Sequence, residues 1–143
     1  MDNQKRIELQ KKAVQIRLGA LEAVYSASSG HPGGSLSIAE ILSYLYFEKM
    51  NINPEDPKNP ERDRFVLSKG HTCPALYSTL AHRGFFSTDL LSTFRNKTSI
   101  LQGHPDMKHI PGVDMSSGSL GQGISAACGI ALSAKLSNQD YRV

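Results

Sequence analysis

Three of the five histidines in this 143-residue chain directly follow a glycine, in the pairs Gly30-His31, Gly70-His71 and Gly103-His104. Composition alone would place a glycine before about 0.4 of the histidines, so the excess calls for a reason. Glycine lets the backbone approach a bound group closely, and histidine supplies a donor, an acceptor or a proton that moves near neutral pH. Turns that gather such pairs would suit a phosphate, a sugar hydroxyl or a metal. The wide separations between the three histidines match no compact metal-ligand pattern. His82 and His109 have no glycine context and read as ordinary satisfied or solvated histidines. A further glycine-rich stretch, Gly118-Ser119-Leu120-Gly121-Gln122-Gly123, could cradle an anion at a helix N-terminus. It lacks the Gly-Lys-Ser/Thr ending of a Walker loop and follows no clear strand, so composition favours close helix packing as the reason for its glycines.

Helices and loops must position these turns. Ile7, Val14, Leu18, Leu21 and Tyr25 recur at helical spacing, which predicts an amphipathic helix over roughly residues 4–28. His31-Pro32-Gly33-Gly34-Ser35 then reads as an exposed turn. Ser37 and Glu40 form a capping-box pattern, Leu36 can staple onto Ile41, and Ile38, Ile41, Leu42 and Leu45 give the stripe of a core-facing helix that fades by Met50. Pro54, Pro57 and Pro60 make the following segment a rigid surface connection. Arg64 to Ser68 is a short apolar run, read as a buried strand that delivers Lys69-Gly70-His71 at its C-terminal end. Pro74 fits the first turn of a helix carrying Leu76, Tyr77 and Leu80. Strand, glycine loop and helix in that order place ligand-binding residues at the carboxyl edge of an α/β sheet. A shorter helix from Thr88 turns Leu90, Leu91 and Phe94 inward. Residues 96 to 117 form a long irregular loop, and loops of that length are usually functional or mobile. The last helix carries Ala126, Ala127, Gly129, Ala131 and Ala134, small enough for another backbone to pack closely against it.

Composition narrows the function classes. The chain is long enough for one compact domain, its apolar content of 39% with 20% charged residues is that of a globular protein, and the net charge is +3. Much of the basic excess, Lys5, Arg6, Lys11, Lys12 and Arg17, lies in the first helix without interleaved aromatics, so it reads as a solvated face and not a nucleic-acid surface. No stretch is apolar enough to span a bilayer and no secretory h-region follows Met1, so a cytoplasmic location is expected. Cys73 and Cys128 form no metal-type pair and are expected to be two buried thiols.

The order of segments is more specific than any one of them. Ser29-Gly30-His31-Pro32-Gly33, Asp63-Arg64-Phe65-Val66-Leu67-Ser68-Lys69-Gly70-His71, Gly103-His104-Pro105 and Gly118-Ser119-Leu120-Gly121-Gln122-Gly123 closely resemble the start of the transketolases, over nearly the whole chain from about Lys11 onward. The resemblance implies an α/β chain, helix-rich in this portion. Residues 1–143 would be the N-terminal part of a thiamine-diphosphate-binding domain whose parallel sheet is flanked by helices. It implies transfer of a two-carbon ketol unit between sugar phosphates, as in the pentose phosphate pathway.

Carried over residue by residue, the resemblance assigns His71 to the cofactor diphosphate. It sets His31 and His104 at the reacting carbons as catalytic and substrate-binding groups, and Arg95 as a substrate-positioning residue. Gly118, Ser119 and Leu120 would line the cofactor. The family commonly has proline where Ser119 stands, and serine occurs in relatives that include split subunits. Magnesium is implied, but the family's Gly-Asp-Gly metal motif and later asparagine would fall beyond Val143, and the activating carboxylate belongs to a second domain. The expected partners are therefore further copies in a homo-oligomer and a C-terminal transketolase subunit. Two alternatives stand beside this reading: a sister synthase of the deoxyxylulose-phosphate type, and a non-catalytic fragment that folds against a partner. His31-Pro32-Gly33 and Gly103-His104-Pro105 favour transketolase over the synthase. With the sheet incomplete, Ile124 to Leu136 should contribute to a large exposed apolar surface.

Overall fold

The computed structural model describes all 143 residues and contains helices and turns but no β-strand. Helix α1 spans Asn3–Ser26, opened by Asp2, whose carboxylate accepts from the Lys5 amide at 2.7 Å. Its inner face is small: Ala13, Gly19, Ala20 and Ala23 are buried with Leu9 and Ile16. A Cβ on Gly19 would sit 2.4 Å from Ser78 Oγ, which shows how closely α1 approaches the central helix. That closeness selects small residues, so the larger stripe of Val14, Leu18, Leu21 and Tyr25 faces outward, contrary to an inward reading of it.

The glycine turn after His31 is a short helix, α2, spanning Pro32–Leu36, where the sequence suggests only a turn. Proline at its start has the fixed φ that a first helical turn needs. Helix α3, Ala39–Tyr44, continues into a wider π-type turn at Leu45–Lys49. The expected capping box does not form. Ser37 Oγ donates back to the Gly34 carbonyl at 2.9 Å, Glu40 pairs with Arg17 at 2.6 Å, and Ile41 is exposed rather than stapled.

The core centres on α4, Cys73–Arg83, in which every residue from Cys73 to Ala81 is buried. It ends on Gly84 in the left-handed conformation, with φ 101°, the usual helix stop. A 3-10 turn at Thr88–Thr93 buries Leu91 and is followed by the buried Phe94, with Leu90 half-buried. Residues 96–117 run without regular structure, as expected.

The strand expected at Arg64–Ser68 is extended chain without a sheet. One edge makes two backbone bonds to different segments, from Arg64 N–H to the Arg142 carbonyl at 2.8 Å and from Gly121 N–H to the Ser68 carbonyl at 2.9 Å. The other edge is met by side chains, the Asp114 carboxylate accepting from Phe65 N–H at 2.7 Å and Ser117 Oγ donating to the Leu67 carbonyl at 2.8 Å. The backbone N–H and C=O of Val66 have no partner. A strand exists only through its neighbour, and the chain around Arg142 supplies one rung of a ladder.

Helix α5, Gly123–Leu136, is the least covered element, with only Gly123 and Ala134 buried. Ile124 and Leu136 are 64% and 78% exposed, so the expected apolar surface is present. Gly129 has no neighbour within reach of a Cβ, so nothing in this chain packs closely there. Cys128 lies on this open helix and is exposed, which corrects the expectation of two buried thiols; Cys73 alone is buried.

Candidate functional site

The four motifs converge on one side of α4. The extended run ending at Ser68 passes into a 3-10 turn, Gly70–Thr72, that leads directly into α4 and carries His71. His31 is the residue that opens α2, and its ring meets the His71 ring edge-on, centroids 4.9 Å apart at 68°. Gly70 is required by its neighbour, because a Cβ there would lie 2.5 Å from the Ser117 carbonyl oxygen. This contact brings the 103–118 loop against the His71 turn. A Cβ on Gly118 would in turn be 3.7 Å from the His104 ring.

Two further side chains hold this arrangement. The buried Tyr77 donates its hydroxyl toward the carbonyls of Gln102 and His104, both at 2.8 Å, fastening the Gly103-His104 turn to α4. Burial pushes the Tyr77 hydroxyl pKa well up, so it stays a donor. Arg95 sits at positive φ, 62°, hydrogen-bonds Ser29 Oγ, and lies so close to Gly103 that a Cβ there would be 3.0 Å from its guanidinium. It thus ties the first histidine turn to the third. Gly121, also at positive φ (86°), donates its N–H to the Ser68 carbonyl at 2.9 Å and draws the last glycine segment to the same place. Ser119 and Leu120 remain exposed beside it, Leu120 at 70%.

All seven expected site residues therefore lie on these adjoining turns. The sequence reading missed Tyr77, which its helical spacing marks only as a core position, and Ser29 and Lys69, which stand inside quoted motifs without a role. His82 and His109 lie outside the group. His82 Nδ1 is 2.8 Å from the Ser78 carbonyl oxygen within its own helix. His109 Nδ1 is 2.6 Å from Asp106 Oδ2 on the outer loop, and that bond holds the Asp106 carboxyl below its usual range. No three His, Cys, Asp or Glu side chains converge as a metal site. A cavity of about 510 Å³ lies under the outer loop at Arg62, Arg64 and His109 and includes none of the three glycine-paired histidines. Theirs is an open surface and not an enclosed pocket.

The fold carrying this cluster is that of thiamine-diphosphate enzymes of known structure. The transketolase from Leishmania mexicana superposes with a TM-score of 0.83 at 40% identity, covering 87% of this chain and 19% of that one. The transketolase from Campylobacter jejuni gives 0.84 at 38% identity, covering 96% and 21%. Residues 9–142 match the family described as transketolase, thiamine diphosphate binding domain, and the chain belongs to that family. It is 49% identical over 134 residues to the 6-deoxy-6-sulfo-D-fructose transketolase subunit SqwG of Clostridium sp. (strain MSTE9), covering 94% of this chain and 49% of that protein. It is 44% identical over 136 residues to an apulose-4-phosphate transketolase subunit from Phocaeicola vulgatus, covering 95% and 47%. With human transketolase it shares 43% identity over 143 residues, covering 99% and 23%. The chain thus spans about half the length of the subunit-type relatives.

Proposed function

We propose that this chain acts as the N-terminal part of a transketolase, in which thiamine diphosphate mediates transfer of a two-carbon ketol unit between sugar phosphates. The observation that carries the reading is the edge-on pair of His31 and His71, joined through Gly70 and Ser117 to His104. The residues fit a diphosphate cofactor. His71 offers a ring donor from a glycine turn, and Gly118 is exposed, with the His104 ring the only group near a Cβ placed on it. They do not fit a magnesium ion held by this chain alone, since no set of carboxylates converges. Any such ion would take its ligands elsewhere.

Thiamine diphosphate, when bound, supplies the electron sink for breaking and forming the carbon–carbon bond. His71 donates to the diphosphate. Gly118, Ser119 and Leu120 line the cofactor, with Leu120 offering an apolar face to its rings. His31 and His104 hold substrate hydroxyls and move protons, work that suits imidazole near neutral pH. Arg95, whose guanidinium lies between Ser29 and Gly103, positions the substrate. The exposed face of α5 supports two partners, a further copy of the assembly and a C-terminal transketolase subunit.

Calorimetry with thiamine diphosphate and magnesium tests this reading. Binding is expected once the remaining length of the subunit-type relatives and a C-terminal transketolase subunit are both supplied. His71→Ala is expected to weaken that binding by about 10-fold or more, the loss of one charge-assisted hydrogen bond. Undiminished binding by His71→Ala would remove the diphosphate assignment.

A further inference from the structure

Lys69 lies in the turn that carries His71, and the histidine chemistry leaves it without a task. Its side chain crosses to α2, where Nζ donates to the Gly34 carbonyl at 2.9 Å and to Ser37 Oγ at 3.1 Å. No carboxylate lies within ion-pair distance of it. Its own carbonyl accepts from both the amide and the hydroxyl of Thr72, at 2.9 Å each. From the other side, Ser35 Oγ donates to the His31 carbonyl at 2.9 Å and lies 3.4 Å from the Thr72 carbonyl oxygen. Gly34 is pressed onto this turn so closely that a Cβ would be 2.5 Å from Thr72 Cγ2. A charged donor on a half-buried carbonyl makes a stronger bond than a neutral pair.

We infer that Lys69 is a positioning residue: its ammonium clasps the segment 31–37 to the turn 69–72 and so fixes the His31 ring against the His71 ring. The use of that clasp in catalysis rests on the function proposed above, but the clasp itself does not.

The test is made on the 143-residue chain, reading the nuclear Overhauser cross-peak between the His31 and His71 ring protons. Lys69→Met keeps the aliphatic stem and removes the donors; it is expected to lose the cross-peak. Lys69→Arg, which restores a cationic donor of sufficient reach, is expected to keep it. Ser37→Ala, at an exposed position, deletes one of the two acceptors and is expected to weaken the cross-peak about 2-fold, which carries the test if Lys69→Met does not fold. An unchanged cross-peak in Lys69→Met, or in Ser37→Ala where Lys69→Met is unfolded, overturns the clasp. Its loss in Lys69→Arg as well as Lys69→Met overturns the hydrogen-bond account. Failure of cofactor binding in calorimetry would leave the cross-peak in place, so the two ideas fail separately.

Discussion

At the scale of single residues, the site depends on groups whose chemistry lies outside the reacting set. One Tyr77 hydroxyl serves two carbonyls of the loop that carries His104. Tyr77→Phe would leave both without that donor at little change in volume. It should cost about 1–3 kcal/mol in urea unfolding, the range for a buried polar group stripped of its partner. The two cysteines should separate equally clearly. Burial pushes the Cys73 thiol up to about 12, whereas Cys128 stands in solvent on α5. Since the thiolate is the reactive form, a disulfide reagent at pH 8 should titrate one thiol in the folded chain and two in denaturant. Two fast thiols in the native state would contradict the packing around Cys73.

At the scale of elements, what was readable depended on where the information lies. The helix beginning near Pro74 is legible because Leu76, Tyr77 and Leu80 repeat at helical spacing and all are buried. The three Gly-His turns are legible because each glycine sits where the chain must come close to something. Their adjacency is not legible from spacing, since it arises through long-range contacts such as Gly70 on Ser117 and Arg95 on Gly103. The capping box of Ser37 and Glu40 fails because a local carbonyl, that of Gly34, and a tertiary partner, Arg17, compete for the two side chains. The strand at Arg64–Ser68 has the right local composition, but a ladder is a property of two segments and one rung is formed. Gly70→Ala probes this scale. The added methyl meets backbone that cannot turn aside, so the variant should lose about 1–3 kcal/mol by overpacking. In the same urea titrations a loss well below that would mean the Ser117 loop shifts freely away from the His71 turn.

At the scale of the whole molecule, the chain holds a packed body around α4 and an uncovered flank formed by α5. Ile124, Leu132 and Leu136 line that flank without a partner, and contiguous apolar surface of this kind drives association. Sedimentation velocity should therefore show concentration-dependent self-association of the isolated chain, reduced when a C-terminal transketolase subunit is present. A single sharp monomer boundary at all concentrations would overturn it. The attachment of α5 gives the same flank a mechanical role. Its first residue, Gly123, is pressed against Ser68, where a Cβ would lie 2.7 Å from the Ser68 Cα, and Gly121 hydrogen-bonds the same residue. Ser68 is joined directly to Lys69 and lies within one turn of His71. The helix is thus joined to the histidine turn at its first residue and held further along at the buried Ala134 and at Ile130, whose carbonyl accepts from the Tyr141 hydroxyl at 3.2 Å. A partner seated on α5 would bear on Ser68 through Gly121 and Gly123, so the junction with the histidine turn is also the place where assembly would reach the site.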